Sequence, residues 1–206
     1  MAPLNTLIKT IEVLGIIAFA LTGIYAAKKK GMDIIGVYSL AMVTALGGGS
    51  LRDIILNRHP LFWIQHYEYP VLLLALSISA SLVAQNFFER KSMVNIVLAL
   101  DALGLGSFSA SGASIADQLG CTLFISSLLG VTTGVFGGVM RDIVCNEIPY
   151  VFQRTELYAT CAFFGSWTYL LVFRSSGNDL VAASACIAVT FILRMLAIRY
   201  KIRLPI

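Results

Sequence analysis

Apolar residues run along this chain in blocks, not in alternation. Each block is about 20 residues long, the length a helix needs to cross a bilayer core of about 30 Å. Short polar or basic stretches separate one block from the next. The pattern predicts seven membrane-spanning helices: Leu4–Ala27, Met32–Gly49, Tyr69–Phe88, Met93–Ser114, Leu119–Met140, Thr155–Phe173 and Leu180–Ile198. The expected fold is an all-α integral membrane protein without a soluble domain or a low-complexity linker.

The blocks repeat. Displaced by 89 residues, Gly48, Gly49, Arg52, Asp53, Ile54, Asn57 and Pro60 fall on Gly137, Gly138, Arg141, Asp142, Ile143, Asn146 and Pro149. The same offset lays Leu14, Gly15, Phe19 and Gly23 over Leu103, Gly104, Phe108 and Gly112, and Gly31 over Gly120. Identity in separated windows at one offset marks a duplication, and the duplicated unit holds three spans. An odd number of crossings makes the second copy enter from the opposite face. The predicted architecture is two inverted three-helix repeats plus a seventh helix, with a pseudo-two-fold axis in the membrane plane, as recurs in transport proteins. The first repeat covers residues 1–90, the second 91–177, and the seventh helix with a basic tail 178–206. Lacking a repeat partner, the seventh helix is expected at the periphery. Lys9 before an apolar run that ends in Tyr25-Ala26-Ala27 has the form of a cleavable leader. The duplication makes that segment an integral part of the fold instead.

Composition agrees with the blocks: 58% of residues are hydrophobic, 13% are charged and the mean hydropathy is +0.83. A soluble domain carries about 25% charged residues. The net charge of +4 lies in short clusters between spans, with no basic face of the kind that binds nucleic acid. Lys28–Lys30, Arg90 with Lys91, and Arg194, Arg199, Lys201 and Arg203 fall on one side if the N-terminus is outside. The positive-inside rule then places the C-terminus in the cytoplasm of an inner (plasma) membrane protein. Arg141 and Arg154 agree; Arg52, Arg58 and Arg174 oppose. Lys28–Lys30 suit anionic lipid headgroups. Trp63, Tyr67 and Tyr69 are expected in one interfacial belt, Tyr150 and Tyr158 in the other.

Two features carry the candidate chemistry. Ala41, Ala45 and Gly49, and their equivalents Gly130, Gly134 and Gly138, place small residues along one face of spans two and five. Such stripes let helix backbones approach closely in lipid, and the symmetry predicts that these two spans cross near the axis. The run Gly47-Gly48-Gly49, with Gly137 and Gly138 in the second copy, costs a helix interior about 1 kcal/mol per glycine. Unwound kinks beside a polar pathway are expected there, with the equivalent hydroxyls of Thr44 and Thr133 lining it; a kink that only shapes the bundle is the plainer alternative. The second feature is Arg52-Asp53 and Arg141-Asp142. Charges at membrane depth face partners or cavities. The aspartates suit the N-terminal turn of a half-helix after the kink, and Glu12 and Asp101 are the acids placed to pair with the arginines. A static ion pair and a gate at each mouth both fit.

No catalytic constellation is present. His59 and His66 have no neighbouring nucleophile or metal-ligand partner in sequence, no phosphate loop occurs, and Cys121, Cys145, Cys161 and Cys186 lack metal spacing. No enzyme activity, metal or cofactor is expected.

The stretches "DALGLGSFSASG", "FALTG", "ALGGGSLRD" and "GGVMRD" resemble those of the prokaryotic relatives of the trimeric intracellular cation channels. The similarity covers about Glu12 to Phe173. It implies a homotrimer with one pore per protomer, seven helices, and a pathway for monovalent cations, mainly potassium with some sodium, past kinked helices two and five. By position the kink glycines are Gly47, Gly48 and Gly49, then Gly134, Gly137 and Gly138; Phe136 replaces the first glycine of the second triplet. Some bacterial relatives are described as glycine transporters. The expected function is a potassium-permeable channel, with a secondary carrier of a small amino acid such as glycine as the alternative, and an assembly protein without a pathway as a third reading.

Overall fold

The computed structural model describes residues 6–83, 85–88, 90–154 and 156–203. These residues form helices and connecting turns, with no strand among them. In chain order the helices are α1 (Thr6–Lys29), α2 (Ile34–Ile55), α3 (Phe62–Gln65), α4 (Glu68–Ser81), α5 (Gln85–Phe88), α6 (Lys91–Gln118) and α7 (Leu123–Val144). A 3₁₀ turn (Tyr150–Phe152), α8 (Ala159–Ser176) and α9 (Asp179–Tyr200) follow. The expected starts of span one at Leu4 and span six at Thr155 lie outside the described residues, as does Ala84 within span three. Five helices, α1, α2, α6, α7 and α9, are long and apolar enough to cross a membrane.

The third predicted span is not one helix. Its continuous part, α4, has 14 residues, about 21 Å at 1.5 Å per residue. The hydroxyls of Ser79 and Ser81 donate back to the carbonyls of Ala75 and Ser77 at 2.8 Å. Such back-bonding competes with the helical ladder, and α4 ends at Ser81.

The duplication is repeated at the helix ends. Asp33 caps α2 by accepting from Gly36 N at 2.8 Å, and its equivalent Thr122 caps α7 by accepting from Ile125 N at 3.4 Å. Gly31 and Gly120 close α1 and α6 at φ +69° and +80°, in the left-handed region that glycine adopts without penalty.

Packing between the repeats is reciprocal. The equivalent rings of Phe19 on α1 and Phe108 on α6 stack with centroids 5.3 Å apart. Each lies against a glycine of the other repeat: Phe19 against Gly104, Phe108 against Gly15. Helices α2 and α7 meet the same way. A Cβ at Gly48 would come inside 3.0 Å of the Thr133 carbonyl oxygen, and one at Gly137 inside 3.0 Å of the Thr44 carbonyl oxygen. From Thr44 to Gly48 along α2, the facing positions on α7 fall from Gly137 to Thr133, so the helices run antiparallel. Mutual contact between equivalent residues is the mark of a two-fold relation.

This geometry bears on the expected unwinding at the glycines. The backbone is α-helical throughout Ile34–Ile55 and Leu123–Val144, across every glycine of the motif. The glycines do not unwind the helices. They let two backbones touch, and that close packing offsets the propensity cost. The small-residue stripes face elsewhere. Ala41 lies against Gly23 of α1, and Gly134 against Ser109 and the Leu105 carbonyl of α6. These two positions pack each second helix on the first helix of its own repeat, while Gly49 lies against Phe62 and Gly130 also meets Ser166 of α8. One further expectation changes and another is refined. Tyr69 and Tyr158 are buried, not in an interfacial belt. The last helix does lie at the periphery, the least buried of the five long apolar helices, but it presents one buried face of Ala182, Ala183, Cys186, Thr190, Arg194 and Ala197 to the bundle.

Candidate functional site: two buried charge clusters

Each Arg-Asp pair lies near the C-terminal end of its long helix and draws in an acid from the first helix of its repeat. In the first cluster Arg52 Nε donates to Asp53 Oδ1 and Nη1 to Glu12 Oε1, both at 2.9 Å. Nη1 also reaches Ser111 Oγ at 2.9 Å, and Ser111 donates to Glu12 at 2.6 Å. Nη2 lies 2.9 Å from Asp53 Oδ1 without hydrogen-bond alignment. Arg58 Nη1 approaches Asp53 at 3.3 Å.

The second cluster follows the same plan. Arg141 Nε donates to Asp142 Oδ1 at 2.9 Å, and Nη1 to Asp101 Oδ1 at 3.3 Å and Thr22 Oγ1 at 3.1 Å. Thr22 and Ser111 are equivalent under the 89-residue offset, so each arginine uses an acid of its own repeat and a hydroxyl of the other. Along α1, Glu12 and Thr22 are ten residues apart, which separates the clusters by about 15 Å.

The aspartates stabilise a helix start, but not the expected one. Asp53 Oδ2 accepts from Phe62 N, the first residue of α3, at 2.9 Å. Asp142 Oδ2 accepts from Tyr150 N, the first residue of the 3₁₀ turn, at 3.0 Å. A carboxylate at a helix N-terminus meets unpaired N–H groups and a favourable dipole. Because α2 and α7 are unbroken, the capped element is the next one along.

The clusters differ in access. The Arg52 side chain is 0% exposed and that of Arg141 15%. Phe62 accounts for the difference: its ring lies against Gly49 and under the Arg52 guanidinium, 5.3 Å from centroid to Cζ. The 89-residue offset puts Val151 at the position of Phe62, while the residue capped by Asp142 as Phe62 is by Asp53 is Tyr150, and a Cβ at Gly138 would meet nothing closer than the Tyr158 hydroxyl at 3.5 Å. That space opens into a cavity of about 210 Å³, lined by Thr22, Asp101, Gly138, Arg141, Asp142, Tyr150, Tyr158 and Arg194, with Lys29, Lys30 and Glu147 toward the mouth.

The expected residues therefore divide. Glu12, Arg52 and Asp53 meet in one sealed cluster; Asp101, Arg141 and Asp142 meet in one that borders the cavity, with Gly138 in its wall. Gly47, Gly48 and Gly137 lie at the α2–α7 contact, Gly49 under Phe62, and Gly134 against α6. The hydroxyls of Thr44 and Thr133 donate to their own helices, to the Leu40 and Leu129 carbonyls at 2.6 Å, and lie against Gly23 and Gly112. They lie outside the cavity lining. The sequence reading missed Thr22, Ser111, Arg58, Phe62 and Arg194. The offset relates the first two. Arg194 carries a signal in its position within an apolar span, but in sequence it reads as part of the basic cluster that closes the last span.

At the mouth, Lys30 Nζ pairs with Glu147 Oε1 at 2.7 Å, both well exposed. The hydrogen bond to Glu147 raises the Lys30 pKa above its ordinary 10.5. A raised folded-state value means that the pair's contribution is complete at neutral pH and is lost as pH climbs through that value. Melting of the wild type is expected to lose stability above the ordinary lysine range more steeply than melting of Glu147→Gln. Parallel melting curves across a pH series in detergent would contradict the pairing.

Helices of membrane-spanning length, packed on their own duplicate around buried ion clusters, define a membrane protein of duplicated helical design. The chain belongs to the prokaryotic family of TRIC type (trimeric intracellular cation channel), whose family model, described as glycine transporter, matches residues 9–85 and again 98–174. The two matches stand 89 residues apart, the offset of the repeat. The inner membrane protein YadS of Escherichia coli (strain K12) is 34% identical over 201 residues, covering 97% of this chain and 95% of YadS. Among solved structures, the TRIC orthologue from Rhodobacter sphaeroides superposes with a TM-score of 0.86 at 31% identity, over 95% of this chain and 99% of that one. A second TRIC cation channel gives 0.84 at 37% identity, over 96% of each.

Proposed function

We propose that this chain is a cation channel of the inner membrane, conducting monovalent cations, mainly potassium, through one pore in each protomer of a homotrimer. The observation that carries the reading is the match along nearly the whole chain to solved TRIC cation channels. In this reading α4 with α5, and α8, complete seven crossings. The antiparallel α2–α7 contact supports two inverted repeats, with the N-terminus outside and the C-terminus cytoplasmic. The pore runs past α2 and α7, and the Arg52/Asp53/Glu12 and Arg141/Asp142/Asp101 clusters act as electrostatic gates at its two ends. Phe62 over the first cluster and the cavity beside the second suit a pathway shut outside and open inside.

Purified protein in planar bilayers is expected to give unitary current steps whose reversal potential follows the potassium gradient. Folded protein without unitary current would overturn the channel reading. The family description supports a second reading, a glycine carrier; the solved neighbours, as channels, favour the first. Uptake of glycine into proteoliposomes against its gradient, without unitary current, would reverse that preference.

A further inference from the structure

The two charge clusters share a plan but reach charge balance differently. In the first, the carboxylates of Glu12 and Asp53 meet the guanidiniums of Arg52 and Arg58. The second repeat supplies two carboxylates, Asp101 and Asp142, and one guanidinium, Arg141. The residue at the position of Arg58 is Glu147, which pairs with Lys30. The duplication by itself therefore leaves the second cluster one positive charge short.

A buried cation from outside the duplication lies in the same cavity. Arg194 on α9 is 1% exposed and forms part of the cavity lining. Its guanidinium stands over the rings of Tyr150 and Tyr158, 4.9 and 5.0 Å from their centroids. Nη1 donates to the Leu157 carbonyl at 2.9 Å, while Nε has no acceptor. Among the described residues no carboxylate forms an ion pair with it, although Glu156, which accepts from the Tyr150 hydroxyl, feels its charge. Tyr158, one of the two rings, has Asp101 and Arg141 near its hydroxyl. An arginine remains charged in such a setting, and a buried charge without a direct partner acts on its surroundings through space.

We propose that Arg194 is the fixed counter-charge of the cavity: it offsets the unbalanced carboxylate of the second cluster and sets how strongly the cavity attracts cations. The inference rests on the channel reading and gives the seventh helix a part in conduction. With Arg194 neutralised, the inner part of the cavity, where Asp101 and Asp142 face Arg141, keeps one net negative charge, which concentrates cations there, while Lys29, Lys30 and Glu147 at the mouth are unchanged.

The test compares wild type, Arg194→Gln and Arg194→Lys in planar bilayers under a KCl gradient. At about 0.1 M KCl, Arg194→Gln is expected to conduct roughly two- to threefold better, with a reversal potential closer to the potassium equilibrium value. The difference should fade near 1 M KCl, where the Debye length falls to about 3 Å. Arg194→Lys should keep wild-type values. An arginine that serves only packing would change folded yield and leave the reversal potential and its salt dependence unmoved; that result overturns the proposal. Absence of current from the wild type would instead defeat the channel reading. Should Arg194→Gln give no monodisperse protein, the double variant Arg194→Gln with Asp142→Asn restores the balance. Its recovery would support the counter-charge, and its failure would overturn it.

Discussion

Gly48→Ala and Gly137→Ala are each expected to destabilise the protein severely, by about 3 kcal/mol or more, at the upper end of what overpacking costs. The methyl group would press on the carbonyl oxygen of Thr133 or Thr44. Those are backbone atoms held in the helical ladder, and they cannot rotate aside as a side chain can. The only relief is to move α2 from α7, which also disturbs the charge clusters at their ends. Gly138→Ala in the same motif is expected to be tolerated, because the nearest atom is the Tyr158 hydroxyl at 3.5 Å. It gains up to about 1 kcal/mol in helix propensity. Denaturant midpoints of the purified variants in detergent decide the matter. A Gly48→Ala protein as stable as Gly138→Ala would show that the backbone contact is dispensable.

Arg52→Gln carries the second large effect. It leaves Glu12 and Asp53 buried without their shared cation, and removing one partner from a buried ion cluster costs roughly 3–5 kcal/mol. Arg141→Gln, its equivalent, is expected to cost less than half as much, since the carboxylates it abandons border the cavity and are better solvated. The comparison is internal: same motif, same hydrogen-bond plan, different access. Equal losses of stability would mean that Phe62 does not seal the first cluster as its geometry requires.

The parts of this design that were legible in the chain share one property: they are periodic or repeated. Apolar blocks of bilayer length give the helices, and the 89-residue offset gives the pairing of equivalent positions. The chemistry of opposite charges at membrane depth points to Glu12 with Arg52 and Asp101 with Arg141. The errors share a property as well. Consecutive glycines were read through intrinsic helix propensity, which describes an isolated helix. In the folded chain Gly48 and Gly137 stay helical because each receives the backbone of the other repeat. The stripes were read as the crossing face, yet Ala41 and Gly134 pack within their own repeats. Arg194 reads in sequence as one more basic residue near the C-terminus, because its distance from Asp101 and Asp142 along the chain hides their common cavity.

By itself the sequence determined the membrane class, the duplication and the residues able to form ion clusters, because hydropathy and repetition are properties of the chain read in one dimension. Only the tertiary structure decided which glycines touch, which cluster is sealed and which is open, and what balances the second one. Those outcomes depend on side chains such as Phe62 and Arg194, which lie far from the clusters' acids in sequence or have no like residue in the other repeat. Burial and charge compensation are set by whatever shares a cavity in space, and neither quantity exists until the helices have packed.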